Sequence, residues 1–291
     1  MRHALVFGGS GQIGTPLLAR LPDAGWCVCA VSRSAQVDVP GVRWLRGDLT
    51  QAAIEPVDGM PAAVDAIFSC GPLDHFARWV AASTIVAPRV IAFGSTSIQV
   101  KSGSSDAAEC DVAARLAEGE RAIFAAATAR ATNATLLRPT LVYGAGRDRT
   151  LTRIAALAHR WGWFALPRNA CGLRQPVHVD DLAAAALLAC DATATYGQAY
   201  ALPGGETLPY RDMVARVLAT LQPSPALITV PAPLFSAILM GARLLGHAGG
   251  FGDAAVARLR SDLVFDAMPA QHDFGYTPRV FRPTADMFSA S

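Results

Sequence analysis

Lysine is nearly absent from this sequence of 291 residues, in which Lys101 is the single example. Charged residues of all kinds amount to 16%, the formal net charge is +2, and the positive charges form no run. Recognition of nucleic acids needs clustered positive charge, so we expect no nucleic-acid partner. The scarcity of lysine also removes most candidates for lysine-based chemistry.

Cysteine pairs and metal motifs are missing as well. Six cysteines are present, but they form no CxxC pair and no cluster with histidine. This usage predicts free thiols, no metal site and a reducing, cytoplasmic compartment. A strand is predicted within the first few residues, which favours the absence of a signal peptide.

No hydrophobic run has the length of a transmembrane helix. The most apolar late segment is PAPLFSAILMGARLLG, residues 231–246, in which Arg243 interrupts a stretch already shorter than about 20 residues. We predict a buried or lid-like helix here. Contact with a membrane surface or a lipid-like substrate is the alternative interpretation.

Short apolar runs alternate with stretches of helical period in the first half. Strands are predicted at 4–7, 27–32, 42–45, 66–69, 90–93 and 134–138, and near 198–201 and 262–265. Helices are predicted in the second half at 150–161, 179–190, 209–220 and 233–246. The alternation is typical of α/β proteins and predicts a Rossmann-type doubly wound parallel sheet with a smaller, mainly helical C-terminal region.

The segment FGGSGQIG, residues 7–14, follows the first predicted strand and opens a helix. Its glycines permit a tight turn close to a pyrophosphate, and the helix N-terminus supplies free N–H groups. A structural glycine turn is the alternative. We predict that a dinucleotide cofactor is held here by Gly8, Gly11, Gln12, Ile13 and Gly14.

The second strand ends at Ser32 and Arg33, without the acidic residue that holds the ribose 2′-hydroxyl of NAD. A hydroxyl and a guanidinium can receive the 2′-phosphate of NADP, so we predict NADP in preference to NAD. A solvated Arg33 is the alternative. After the third strand, Asp48 and Leu49 are placed in the cofactor site, where the Asp48 carboxylate either accepts from the adenine amino group or caps a helix.

Together these features resemble the extended short-chain dehydrogenase/reductase superfamily, in its epimerase/dehydratase branch. The matching pieces are FGGSGQIG, RGDL, FGSTS (93–97), LRPTLVYGAG (137–146), RQPVHVDDLA (174–183) and, more loosely, DFGYTPR (273–279). The resemblance covers most of the chain. It places a dinucleotide-binding domain at 1–140 and a substrate-binding region at 141–291, of which about 174–201 packs back on the sheet.

The resemblance also implies roles around the nicotinamide. Cys70, Gly71 and Pro72 would line the nicotinamide side of the cofactor, and Pro139 would approach the nicotinamide amide. Thr96 falls where the family keeps a catalytic serine or threonine that hydrogen-bonds the substrate oxygen. Alternatively, the hydroxyls of FGSTS cap backbone groups at a strand end.

On the substrate side, the resemblance points to Arg174 and His178. Arg174 falls where nucleotide-sugar enzymes hold a diphosphate, although pairing with Asp180 or Asp181 is an alternative. His178 would anchor the substrate region to the sheet, and a packed structural histidine is the competing interpretation.

The Tyr-x-x-x-Lys pair of the family is absent. Tyrosines occur only at positions 143, 196, 200, 210 and 276, none of which lies between the fifth and sixth predicted strands. Glu120 fits the glutamate that the family places four residues after its lysine, which assigns the two missing positions to Val112 and Leu116. The pair normally transfers the proton that accompanies hydride transfer. Tyr143, expected on a loop after the sixth strand, is the best substitute.

We therefore expect an NADP-dependent oxidoreductase or epimerase whose catalytic residues are Thr96 and Tyr143. Its expected substrate is a small molecule, nucleotide-sugar-like or otherwise phosphate-bearing, because of the place of Arg174. The alternative is a non-catalytic NADP-binding regulator, redox sensor or assembly factor, since the proton relay is missing. The sequence leaves the oligomeric state open.

Overall fold

The structure is a computed structural model that describes residues 1–37, 39–50, 59–148, 150–244 and 253–288. The strands in chain order are β1 (Arg2–Phe7), β2 (Trp26–Ser32), β3 (Val42–Arg46), β4 (Ala66–Ser69), β5 (Arg89–Phe93), β6 (Asn133–Pro139), β7 (Val142–Tyr143), β8 (Trp163–Pro167), β9 (Leu173–Arg174), β10 (Val177–His178), β11 (Ala199–Leu202), β12 (Leu208–Pro209) and β13 (Ala226–Val230).

The helices in chain order are α1 (Gly14–Asp23), α2 (Leu73–Ala82), α3 (Ser97–Val100), α4 (Ala107–Ala129), α5 (Leu151–Trp161), α6 (Val179–Asp191), α7 (Tyr210–Ala219), α8 (Ala232–Leu244), α9 (Asp253–Arg258) and α10 (Met268–Phe274). Two short 3₁₀ helices cover Thr193–Thr195 and Ala285–Phe288. The last two residues of the helix predicted at 233–246 lie outside the described residues. Within the described ranges, no helix combines the length and the apolar character that a membrane span requires.

A parallel seven-stranded sheet organises the first half, in the order β11-β6-β5-β4-β1-β2-β3. The order reverses direction between β1 and β4, which is the doubly wound arrangement predicted from the alternating pattern. The predicted doubly wound sheet is therefore confirmed. β11, from the second half, completes the sheet by pairing with β6.

The strand predicted near 262–265 is wrong. This segment has no regular secondary structure, although Leu263 N donates to Leu173 O at 3.0 Å and Leu173 N donates to the Asp262 carboxylate at 2.8 Å. The strand beside it, β9, has only two residues and pairs with β12 on its other side. The β-branched and aromatic residues of this segment favour a strand, but such preferences depend on tertiary context, which here supplies single hydrogen bonds and no ladder.

The two faces of the sheet are buried against different helices. Along β1, Leu5 and Phe7 pack with residues of α2 and α4, whereas Val6 packs with residues of α1 and α6. Alternate residues of a strand point to opposite faces, so a strand buried on both sides reads as a continuous apolar run. A third core lies in the second half, among α5, α7, β8 and β13. The structure contains all six cysteines as free thiols, of which Cys190 is buried and Cys171 exposed.

A charged cluster connects α9 to the first turn of α4. The Glu109 carboxylate accepts from both terminal nitrogens of Arg258, one of them at 2.5 Å, and from Ser104 Oγ at 2.7 Å. Lys101 Nζ lies 4.0 Å from Glu109 Oε1. Hydrogen bonds from Arg258 are the main reason that the pKa of Glu109 is lowered.

This cluster predicts an acid-sensitive contribution to stability. A lowered folded pKa means that the stabilisation is present above the ordinary glutamate pKa of about 4.3 and is lost as the pH falls through the folded value. We expect Glu109→Gln to lower the free energy of unfolding by about 2 kcal/mol at neutral pH and to flatten its acid dependence. Urea unfolding from about pH 7 down to about pH 2 measures both effects, because the acid dependence lies below the ordinary glutamate pKa. Glu118→Gln, an exposed position of the same helix, is the control, and an equal slope for both variants would contradict the assignment.

Candidate cofactor site

A cleft of about 460 Å³ lies at the carboxyl ends of β1, β2, β3 and β4. Open α/β sheets bind ligands at this edge, where the strand order reverses. The lining residues are Phe7, Gly8, Ser10, Gly11, Val31, Ser32, Arg33, Gly47, Asp48, Leu49, Thr50, Cys70, Gly71, Pro72, His75 and Arg147. The structure thus brings together four of the five segments that the sequence assigned to the cofactor; Pro139 does not line the cleft.

The glycine loop forms one wall of the cleft, and its geometry requires glycine. Gly8 has φ +71°, and a Cβ on Gly14 would come within 2.1 Å of Gly8 O. The backbone N–H groups of Gln12 and Ile13 donate to no described residue. Together with the N-terminal end of α1, these free donors favour an anion above the loop.

The end of β2 presents a cation and an organised hydroxyl to the same cleft. The Arg33 side chain is exposed and makes no hydrogen bond or ion pair with any described residue. Ser32 is buried, and its Oγ accepts from Gln36 Nε2 at 3.0 Å and from Ser34 N at 3.4 Å. Because Oγ already accepts twice, the Ser32 hydroxyl hydrogen is available to donate into the cleft.

Asp48 stays charged at the third strand end. Its Oδ1 accepts from Thr50 N at 2.9 Å and from Thr50 Oγ1 at 2.8 Å, and these bonds, with weaker contributions from Arg33 and His75, lower the pKa of Asp48. An ionised carboxylate is an acceptor only, which suits an adenine amino group. One oxygen is used by the local turn, and the other remains for a ligand.

Thr96 and Pro139 lie outside the cleft lining and contact each other. Thr96 Oγ1 donates to Pro139 O at 3.1 Å, and Thr96 N donates to the same oxygen at 3.2 Å. Thr96 is buried, and this hydrogen bond engages its hydroxyl hydrogen with the backbone. This geometry matches the alternative interpretation of FGSTS, in which its hydroxyls hydrogen-bond to backbone groups at the strand end.

The predicted position of Tyr143 on a loop after the sixth strand is wrong. Tyr143 belongs to β7, which pairs with β10, and its side chain is 0% exposed. Its ring packs edge-on against His178 and Phe281, with centroids 5.1 and 4.9 Å apart. Burial, more than the nearby Asp181, raises the pKa of Tyr143 to about 12. An enclosed phenol with this pKa gives no support to the predicted role as proton donor.

Tyr143→Phe is expected to leave turnover unchanged and stability equal or slightly higher. The Tyr143 hydroxyl is buried and makes no hydrogen bond of ordinary geometry with the described residues, its approach to the Arg282 backbone being a minor influence on its pKa, so its removal relieves a desolvation cost of up to about 1 kcal/mol. Urea unfolding and substrate turnover test both parts. A loss of activity of about 10²-fold or more would instead identify Tyr143 as the proton donor.

Tyr276→Phe is the matched control, because the buried Tyr276 hydroxyl donates to Pro203 O at 2.8 Å. Its removal leaves that carbonyl unsatisfied and should destabilise the fold by about 1–3 kcal/mol.

Arg174 is enclosed by backbone carbonyls. Its Nη1 donates to Leu173 O at 2.7 Å and Ser261 O at 2.8 Å, and its Nη2 donates to Arg258 O at 2.5 Å. The side chain is 5% exposed and lies over the ring of Tyr210. The predicted role in binding a substrate phosphate is therefore not supported, because the donors that would face an anion already hold the segment after α9.

The alternative partners proposed for Arg174 are also wrong, because Asp180 and Asp181 face Arg279. Arg279 Nε donates to Asp181 Oδ1 at 2.8 Å, and Arg279 Nη2 lies 3.7 Å from Asp180 Oδ2. His178 Nδ1 accepts from Asp180 N at 3.1 Å and caps α6, and burial lowers the pKa of His178. His178 has the structural role given above as its alternative; a direct substrate contact is not supported.

Helix α4 has apolar side chains, Val112 and Leu116, at the two positions where the family that the chain resembles has its tyrosine and lysine. Val112 and Leu116 are half-buried, and Leu116 packs against the core shared by α2 and α4. One turn further, the buried Glu120 carboxylate accepts from Arg138 Nε at 2.8 Å. A Cβ on Gly94 would lie 3.1 Å from Glu120 Oε1, so this face of α4 reaches the carboxyl end of β5.

Sequence reasoning missed four polar lining residues: Ser10, Thr50, His75 and Arg147. Ser10, Thr50 and His75 lie within five residues of predicted cofactor contacts, so their closeness in sequence to the motifs is the signal that could have found them. Arg147 carries no such signal, because it belongs to the second half and reaches the cleft through the tertiary fold.

Part of the chain matches a family model, and most of the chain is similar to a known reductase. Residues 113–202 match the model of the NAD dependent epimerase/dehydratase family. The 2-alkyl-3-oxoalkanoate reductase of Stenotrophomonas maltophilia is 28% identical over 95% of this chain and 94% of its own.

Two solved structures share the fold. MoeE5 in complex with UDP-glucuronic acid and NAD has a TM-score of 0.68 and 19% identity, covering 96% of this chain and 94% of that one. UDP-glucuronic acid 4-epimerase from Bacillus cereus in complex with NAD has a TM-score of 0.68 and 12% identity, covering 98% and 96%.

The sheet order and the cleft define a protein with a Rossmann-type doubly wound fold. Within this fold, residues 113–202 are similar to the NAD dependent epimerase/dehydratase family, whose model they match. The resemblance stated from the motifs is confirmed. The likenesses also agree with the expected class of NAD-dependent reductase- or epimerase-like enzymes.

Proposed function

We propose that this chain is an NADP-dependent oxidoreductase that reduces a ketone. One observation carries the cofactor assignment: Arg33 lines the cleft with no hydrogen bond or ion pair to a described residue, beside the buried Ser32 hydroxyl. These two groups would hold the 2′-phosphate, and the N–H groups of Gln12 and Ile13 would hold the pyrophosphate. Asp48 and Leu49 would contact the adenine. The nicotinamide side of the cofactor would be lined by Cys70, Gly71 and Pro72. The bound nicotinamide supplies hydride, whereas the protein positions and encloses it.

The substrate that we propose is a 3-oxo acid with apolar alkyl chains, in preference to a nucleotide sugar. The enclosure of Arg174 removes the cation on which a phosphate-bearing substrate was predicted. The relative from Stenotrophomonas maltophilia is a reductase of 2-alkyl-3-oxoalkanoates, which carry alkyl chains and no phosphate. Helix α8 of the second half exposes Leu234 and Met240, so apolar surface is available near the C-terminal region.

A substrate comparison tests this proposal. The purified protein is incubated with NADPH and either a 2-alkyl-3-oxo acid or a UDP-hexose, and loss of NADPH is followed by absorbance. We expect loss of NADPH and a 3-hydroxy acid product with the first substrate only. Epimerisation of the UDP-hexose, seen by chromatography without net cofactor consumption, would overturn the substrate assignment and support the nucleotide-sugar alternative.

A second candidate function is NADP binding without turnover. It is favoured by the buried Tyr143, the engaged Thr96 hydroxyl and the apolar Val112 and Leu116. Hydride transfer from NADPH that carries deuterium at both C4 positions separates the two candidates. Deuterium in any product supports the reductase, whereas tight binding with no transfer to either substrate supports the non-catalytic function.

A further inference from the structure

Arg147 reaches the cofactor cleft from the second half of the chain. Its Nη1 donates to Ser10 O, in the glycine loop, at 2.5 Å. Every other described residue of the lining lies between Phe7 and His75. This exposed hydrogen bond therefore joins the two halves across the cleft.

The backbone around Arg147 is fixed on both sides, while its side chain is free to change partner. Gly146 N donates to Met287 O at 2.9 Å. The Asp148 carboxylate caps the start of α5 by accepting from Thr150 N at 3.0 Å and from Leu151 N at 2.5 Å. A side chain on such a support can exchange one acceptor for another without moving the loop.

The Arg147 guanidinium can neutralise charge that the glycine loop does not. A dinucleotide carries two negative charges on its pyrophosphate, and the glycine loop meets them with neutral N–H groups. Arg33 follows β2, where the ribose end is expected, whereas Arg147 already contacts the loop itself. An arginine gains more from a phosphate than from a carbonyl, because charge-assisted bonds are shorter and stronger.

We propose that Arg147 clamps the cofactor pyrophosphate against the glycine loop, exchanging Ser10 O for phosphate oxygens. The clamp couples cofactor binding to the substrate region, because Arg147 lies just before α5 and is held through Asp148. This inference rests on the proposed binding of NADP in the cleft. It assigns to the second half a contact with the cofactor that is independent of the 2′-phosphate.

Calorimetric titration of the full chain with NADP, NAD and 2′-AMP tests the clamp. 2′-AMP retains the adenosine and the 2′-phosphate but lacks the pyrophosphate. We expect Arg147→Gln to weaken NADP and NAD alike, by about ten- to a hundredfold, and to leave 2′-AMP unchanged. Hydrogen exchange in residues 150–161 should slow on addition of NADP to the wild type, and this slowing should be lost in Arg147→Gln.

Arg160→Gln removes the same charge from an exposed position at the end of α5 and should bind all three ligands as the wild type does. If Arg147→Gln binds NADP and NAD with unchanged affinity, the clamp is refuted while the cleft assignment stands. If the wild type binds neither dinucleotide, the proposed function itself fails. Equal weakening of 2′-AMP would also overturn the clamp, because it would place Arg147 at the ribose end.

Discussion

Installing Tyr at position 112 and Lys at position 116 is expected to raise the rate of ketone reduction by about 10²–10⁴-fold. This is the factor that a positioned general acid contributes, and the chain lacks the pair that supplies it in related proteins. The Val112→Tyr, Leu116→Lys double variant is assayed with NADPH and a 2-alkyl-3-oxo acid under single-turnover conditions. The rate of hydride transfer, measured at saturating cofactor, is the readout.

The helix offers suitable geometry for this change. Positions 112, 116 and 120 share one face of α4, and Glu120 lies beside Gly94 at the carboxyl end of β5. Val112 and Leu116 are half-buried, so larger polar side chains can reach solvent-accessible space without opening the core. The loss of Leu116 packing should lower the free energy of unfolding by only about 1 kcal/mol.

Val112→Phe with Leu116→Met is the matched control, because it changes volume without adding an acid. A rate increase in both variants would mean that shape, not proton transfer, limits the reaction. An unchanged rate in the Tyr/Lys variant, with cofactor binding intact, would contradict the expected position of α4 against the nicotinamide. That outcome would favour the non-catalytic function.

Arg33→Ala should weaken binding of NADP by about ten- to a hundredfold while changing the affinity for NAD little. The guanidinium has no described protein partner in the cleft, so its interaction with a 2′-phosphate replaces only water. A hydrogen bond to a charged group contributes about 1.5–3 kcal/mol, which corresponds to this range. Titration of both cofactors by calorimetry gives the ratio directly.

Arg115→Ala, an exposed position on α4, controls for the change in net charge. Equal losses for NADP and NAD in Arg33→Ala would refute the assignment of Arg33 to the 2′-phosphate. Such a result would leave it as the solvated loop residue considered as the alternative.

Features encoded by neighbours in sequence were predictable. The alternating strands, the glycine loop and the ends of β2, β3 and β4 all followed from local patterns, and the structure gathers these segments around one cleft. The missing Tyr/Lys pair was equally readable, because residues four apart on a helix share a face in any tertiary context.

Residues whose partners lie far away in sequence were assigned incorrectly or missed. Arg174 binds carbonyls 84 and 87 residues further along, and Arg147 donates to an oxygen 137 residues before it. The local sequence around Arg174 predicts a positive charge, but it contains no information about the distant carbonyls that enclose the guanidinium. The same is true of Tyr143, whose ring is covered by Phe281.

The sequence by itself therefore determined the doubly wound sheet, the cofactor segments and the absence of the Tyr/Lys pair. Backbone preferences and periodicity act over a few residues, and they are sufficient for these features. The tertiary structure decided which polar side chains remain available to a ligand. That availability depends on burial and on hydrogen-bond partners from distant elements, which satisfy Arg174 and enclose Tyr143 but leave Arg33 and Arg147 at the cleft.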